Sequence, residues 1–188
     1  MKQADIIVYG PDRTLQLVVE VKNGLGASEE WAREVRDLLL QHRAIPASPY
    51  FLLAMTNRFY LWGPGTAGVP RRLPEYAIDV REALEPYTRA LGRPLENVSK
   101  PGFELLVSSW LVDLMHSDPQ ALAGCPGLSG LLDSGLFAAI RRGSLDLEAE
   151  DQESREAIAA QYWKAYEGGA GLGPEFDGWV DQGAWPSG

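Results

Sequence analysis

The chain has 188 residues, of which 45% are hydrophobic and 10% aromatic, enough for one folded domain with a real core and too apolar for a disordered tail. No apolar run approaches the roughly 18 residues of a membrane span. The start, Met1-Lys2-Gln3-Ala4-Asp5, carries no signal-peptide stretch, and the single cysteine, Cys125, excludes an internal disulfide framework, so a soluble, cytoplasmic protein without membrane partners is expected. The net charge of −9 gives no general support to nucleic-acid binding, but residues 1–63 carry seven basic and seven acidic residues and are neutral, whereas residues 144–188 carry two basic and ten acidic ones.

In chain order, the first apolar run is Ile6-Ile7-Val8-Tyr9, preceded by Asp5, and the second is Leu15-Gln16-Leu17-Val18-Val19-Glu20-Val21-Lys22. Gly10-Pro11-Asp12-Arg13-Thr14 between them has the residues of a hairpin turn. A loop spanning Pro11 to Thr14 pairs Gly10 with Leu15, and the same register brings Asp5 opposite Glu20. Alternation places Glu20 and Lys22 on one face. The glycine loop Gly24-Leu25-Gly26 leads to Ser28, a helix N-cap, with Glu29 and Glu30 in the first turn. Trp31, Val35, Leu38, Leu39 and His42 then predict an amphipathic helix over 28–43, stopped by Pro46 and Pro49. Residues 50–55 read as a buried strand and Arg58 to Trp62 as the next, after a turn at Thr56-Asn57. Strand, strand, helix, strand gives an α/β core with a mixed sheet.

Glycines and prolines mark 64–78 as a loop or linker. A helix over 79–91, bent at Pro86, follows. Phe103, Leu106, Val107, Trp110, Leu111, Leu114 and Met115 define a second over 102–116, and Leu131, Leu132, Leu136, Phe137 and Ile140 a third over 129–142. Residues 144–148 read as a short strand and 152–167 as a last helix. Residues 168–188 form an acidic, Gly-rich tail with Phe176, Trp179 and Trp185. The division is a core at 1–63, the linker, a helical extension at 79–167 and the tail.

Acids and a lysine at the end of an apolar hairpin are costly unless paired or ligated. Asp5 and Glu20 offer hard oxygen ligands for Mg²⁺ (or Mn²⁺), with the Val21 carbonyl as a third. Water on such an ion becomes more acidic, and Lys22 is placed to orient or deprotonate it or to stabilise phosphorane-like charge. The set suits phosphodiester hydrolysis; its bland counterpart is an ion-paired polar edge on an ordinary hairpin.

Asp5 followed at a hairpin's distance by Glu20-Val21-Lys22 resembles the signature of the PD-(D/E)XK nuclease superfamily, the restriction-endonuclease-like fold. The helix after it and the stretch Pro49 to Trp62 are similar to the nuclease domains of type I restriction subunits. The resemblance covers roughly residues 4–63. It implies a metal site at Asp5 and Glu20, Lys22 as the catalytic lysine, and DNA as the partner. Two departures stand out. Many members carry a helix before the first strand whose glutamate joins the site, whereas Met1 to Ala4 alone precede Asp5, and Ala4 stands where proline is usual. The sheet face that such a helix would cover needs another partner: the 79–167 extension first, otherwise a second copy of the chain or upstream sequence. The alternative function is an inactive scaffold or regulatory subunit of the same fold, binding a protein partner through its acidic, aromatic C-terminal region.

The remaining signals have plain readings. His42, His116 and Cys125 lack zinc spacing, Gly63-Pro64-Gly65-Thr66-Ala67-Gly68 lacks the lysine of a P-loop, and Ser108 and Ser109 form no nucleophile elbow. Gln41 falls too late in its helix to join the site. Arg71-Arg72 and Arg141-Arg142 are the basic pairs that would contact phosphates if they flank the core.

Overall fold

The computed structural model describes residues 4–22 and 28–147. Strands β1 (Ile6–Tyr9), β2 (Leu15–Lys22), β3 (Tyr50–Met55), β4 (Phe59–Trp62), β5 (Tyr76–Ile78) and β6 (Ser144–Leu147) form one mixed sheet in the order β5-β4-β3-β2-β1-β6. β2 and β3 are parallel and every other pair is antiparallel. The helices are α1 (Glu29–Gln41), α2 (Val80–Leu91), α3 (Lys100–His116), α4 (Pro119–Ala123), α5 (Ser129–Asp133) and α6 (Leu136–Ile140). Both edge strands are short, which limits the unpaired backbone offered to another sheet.

The β1–β2 turn differs from the expected one, yet it delivers the expected register. Gly10 N–H donates to Thr14 O and Arg13 N–H to Gly10 O, both at 2.9 Å, and Arg13 is left-handed with φ 64°. The loop is therefore Pro11 to Arg13, one residue shorter than expected. Tyr9 faces Leu15 while Val8 faces Leu17, so Gln16 is the extra residue of a bulge. The shorter loop and the bulge cancel. Ile6 faces Val19 in the last pair of the ladder, and Asp5 and Glu20 are the residues just beyond it.

Alternation divides the core between the two faces of the sheet. Ile6, Val8, Leu17, Val19 and Val21 join Phe59 and Leu61 in one apolar cluster with Leu84 of α2, Phe103, Leu106 and Trp110 of α3, Leu131 of α5 and Phe137 of α6. The stripe on α3 thus covers the sheet. Ile7, Val18, Phe51, Leu53 and Trp62 pack on the other face with Ala32 of α1 and Ala67.

Three elements depart from expectation. The 64–78 segment is not all loop, because Tyr76–Ile78 forms the edge strand β5. The expected 129–142 helix is broken into α5 and α6 at Gly135, which is left-handed at φ 80°, while Tyr50 Oη donates to the preceding carbonyl, Ser134 O. On α1 the expected Trp31, Val35 and Leu39 pack on the core, but Ala32 and Arg36 are the buried residues and Leu38 is 56% exposed. The helix expected over 152–167, the tail and the Gly24–Gly26 loop lie outside the described residues.

Gly143, between α6 and β6, makes the closest approach to the sheet. A Cβ there would lie 1.9 Å from Tyr9 O, so no side chain fits without moving backbone. Gly143→Ala is expected to cost about 2–4 kcal/mol in urea denaturation. A loss below about 0.5 kcal/mol would contradict the packing of β6 against β1.

Candidate active site

The strand directions bring five termini to one end of the sheet. β2, β3 and β5 end there at Lys22, Met55 and Ile78, and β1 and β4 begin there at Ile6 and Phe59. α2 starts beside them after its N-cap Asp79. The carboxyl ends of parallel strands are where open α/β sheets bind ligands.

Asp5 sits at this end with a nearly buried side chain. Its Oδ2 accepts the Val21 N–H at 2.7 Å, so the carboxylate replaces a backbone acceptor just where β1 begins. N–H and C=O of one strand residue point to the same side, so the Val21 carbonyl is also directed towards β1. Glu20 is 3% exposed and pairs with Lys22, whose Nζ donates to Oε1 at 2.5 Å. The expected neighbours thus occur as two ion pairs at adjacent strand ends, because Asp5 has a lysine of its own. Lys100, in the first turn of α3, donates to Asp5 Oδ1 at 3.3 Å and forms an ion pair with Glu104 Oε1 at 2.9 Å.

Lys100 and Glu104 are the site residues that sequence reasoning missed. A signal was present: Ser99 caps α3, accepting from Gly102 N–H at 3.2 Å, and a lysine just after an N-cap opposes the helix dipole. Such a residue needs carboxylates, and the one at i+4 is Glu104. Burial pulls the Lys100 ammonium down, but the hydrogen bond to Glu104 and the charge of Asp5 outweigh it and hold its pKa above the ordinary lysine value.

The other candidates fall as the plain readings have them. Ser108 Oγ and Ser109 Oγ donate back to Glu104 O and Leu105 O inside α3. His42 caps the end of α1 and His116 contacts Val112 O. Neither basic pair flanks the site. Arg72 O accepts from Trp62 Nε1, and Arg141-Arg142 precede Ser144, which pairs with Tyr9; both pairs are at the far end of the sheet. Among the described residues no cluster of three or more His, Cys, Asp or Glu side chains is arranged to hold a metal ion. No helix among them is long and apolar enough to cross a membrane. Comparison with protein-family models, curated proteins and solved structures returns no match, so the chemistry has to be argued from this geometry.

The raised pKa of Lys100 fixes the sign of a pH effect. Its stabilisation is fully present below the unfolded lysine value of 10.5 and is lost as pH rises through the higher folded value. Lys100→Met should therefore be less stable than the native chain by a constant amount through neutral pH, with the gap closing only in strong alkali. Chemical denaturation at a series of pH values checks this, and a gap that closes near neutrality would contradict it.

Proposed function

We propose that this chain is a restriction-endonuclease-like protein that hydrolyses phosphodiester bonds of DNA at a PD-(D/E)XK-type site. The observation that supports the proposal is the β1–β2 register, whose last pair, Ile6 with Val19, leaves Asp5 and Glu20 as the next residues along, with Asp5 Oδ2 accepting the Val21 N–H. The donor set fits one hard divalent cation: two carboxylates and a carbonyl leave coordination positions for water and phosphate, the usual pattern for Mg²⁺ (or Mn²⁺). When bound, the ion supplies charge neutralisation at the phosphate and a more acidic water. Asp5, Glu20 and the Val21 carbonyl would hold it. Lys22, about a third exposed and anchored on Glu20, is the group that reaches outward from the buried acids, and it orients the attacking water by hydrogen bonding. Lys100 holds the Asp5 carboxylate in place through their ion pair, as a positioning residue.

A second reading has one observation in its favour. Both carboxylates already have an ammonium partner, so the cluster is electrically satisfied as it stands. In that reading the chain is a catalytically inactive scaffold of the same fold, acting through a protein partner or a second copy of itself.

Metal titration of DNA cleavage separates the two. Cleavage of plasmid DNA should appear with Mg²⁺ or Mn²⁺, vanish with chelator, and fall about 10²-fold or more in Glu20→Gln and in Lys22→Ala, both of which should remain folded. Absence of cleavage in the native chain with either ion supports the scaffold. Cleavage that survives both substitutions rejects Glu20 and Lys22 as the site.

A further inference from the structure

Lys100 pairs with two carboxylates at once. Its Nζ lies 3.3 Å from Asp5 Oδ1 and 2.9 Å from Glu104 Oε1. The two acids differ in their setting. The Asp5 side chain is 9% exposed, and its other oxygen, Oδ2, already holds the Val21 N–H at 2.7 Å. Glu104 is one turn further along α3 with its side chain 29% exposed, and the lysine itself is 38% exposed. One ammonium thus bridges a buried acid and an acid at the edge of solvent, and its contact with the outer acid is the shorter.

The needs of the helix do not account for this placement. A lysine in the first turn opposes the helix dipole. Lysine followed by glutamate four residues on is also the weaker order for such a pair. What compensates is Asp5, 95 residues earlier in the chain. Yet Asp5 is one of the two carboxylates proposed above to hold a divalent cation. With Oδ2 on Val21 N–H and Oδ1 on Lys100, both of its oxygens are engaged. A second cation on the same carboxylate repels the ammonium, the more strongly because the acid is shielded from water. Glu104 offers the displaced ammonium a partner already within reach. Lys22 is placed differently, since among the described residues it pairs with Glu20 alone.

We infer that Lys100 is a built-in counter-ion with two positions, which neutralises Asp5 while no divalent cation is held and passes to Glu104 when one is, an assignment that rests on the metal-site reading above. The arrangement lets the chain fold without an unpaired charge on a nearly buried acid. It also makes Lys100 a competitor of the ion for Asp5, so the lysine sets how much free divalent cation the site needs. Glu104 acts through the lysine: by holding the ammonium in its outer position, it lowers that threshold.

Calorimetric titration of the full chain with Mn²⁺, without DNA and at fixed ionic strength, tests the inference, with circular dichroism checking the fold of each variant. Lys100→Met frees Asp5 and should tighten Mn²⁺ binding at least about threefold, whereas Glu104→Gln leaves the lysine on Asp5 and should weaken binding by a similar factor. In the double variant the Glu104→Gln effect should vanish, because the lysine through which Glu104 acts is gone. A mere change of charge near the ion would instead lower affinity equally in both backgrounds, and that result overturns the inference. Unchanged affinity in Lys100→Met overturns it too. So does Glu20→Gln binding Mn²⁺ as the native chain does, since the ion measured would then lie elsewhere. If neither the native chain nor Lys100→Met binds Mn²⁺ at millimolar concentration, the counter-ion role falls together with the metal site. If the affinities shift as expected but DNA is not cut, hydrolysis fails and the counter-ion role stands. If DNA is cut with Mn²⁺ while all the Lys100 and Glu104 variants bind it equally, the counter-ion role fails and hydrolysis stands.

Discussion

The hydrogen bond from Val21 N–H to the Asp5 carboxylate is the constraint on which this end of the molecule depends. The ladder between β1 and β2 gives out at Ile6, and a side-chain oxygen takes over as acceptor one residue further on. An ionised acceptor makes this a stronger bond than the backbone pair it replaces. It also pins the carboxylate in line with the strands and leaves Oδ1 to reach Lys100. The sheet, α3 and the acidic site are therefore joined through one residue. Neutralising Asp5 would leave the Val21 donor with a weaker partner and one carboxylate fewer facing Lys100, a large penalty in a nearly buried place.

The opposite face is organised around a buried cation. Arg36 of α1 has no solvent exposure, yet its guanidinium donates to Thr66 O at 3.0 Å, to Val69 O at 2.5 Å and to Asp37 Oδ1 at 3.0 Å, and lies 4.9 Å from the centre of the Trp62 ring. Desolvation lowers its pKa and the Asp37 carboxylate partly restores it. Asp37 in turn accepts from Arg71 N–H at 3.0 Å. A chain segment between β4 and β5 that is poor in regular structure is thereby clamped to α1, and Trp62 is sealed beneath it. The planar fork of arginine suits this work, since two carbonyls and a carboxylate must be met at once. Arg36 thus joins Ala32 on the inward side of α1, where Trp31, Val35 and Leu39 also pack, while Leu38 stays exposed.

Much of the fold was legible because its signals are local. Apolar runs bounded by turn residues marked β1 to β4, Ser28 marked the start of α1, and the apolar stripe from Phe103 to Met115 marked α3 and its packing on the sheet. The β1–β2 register up to Ile6 was legible too, although through a turn and a bulge whose differences cancelled. What escaped was set by distant partners. Tyr76–Ile78 is too short to carry an alternation and becomes a strand by pairing with β4. Arg36 reads as an exposed charge until the carbonyls of Thr66 and Val69 are placed around it. Lys100 lies 95 residues from Asp5 in sequence, and only the packing of α3 across the sheet brings them together.

The distribution of charge then bears on how such a site would work. Asp5, Glu20, Asp79, Glu96 and Glu104 stand at the proposed catalytic end against Lys22, Arg58, Arg81 and Lys100, so acids outnumber bases there. A polyanion approaching this surface meets no net attraction. A divalent cation held between Asp5 and Glu20 would change the sign of that balance at the point where a phosphate must sit, while Lys22 and Lys100 remain close by. In the proposed nuclease the carboxylates are thus more than ligands. There they would make substrate capture conditional on the ion, and an acidic protein would acquire a local site for a phosphate without a basic surface elsewhere.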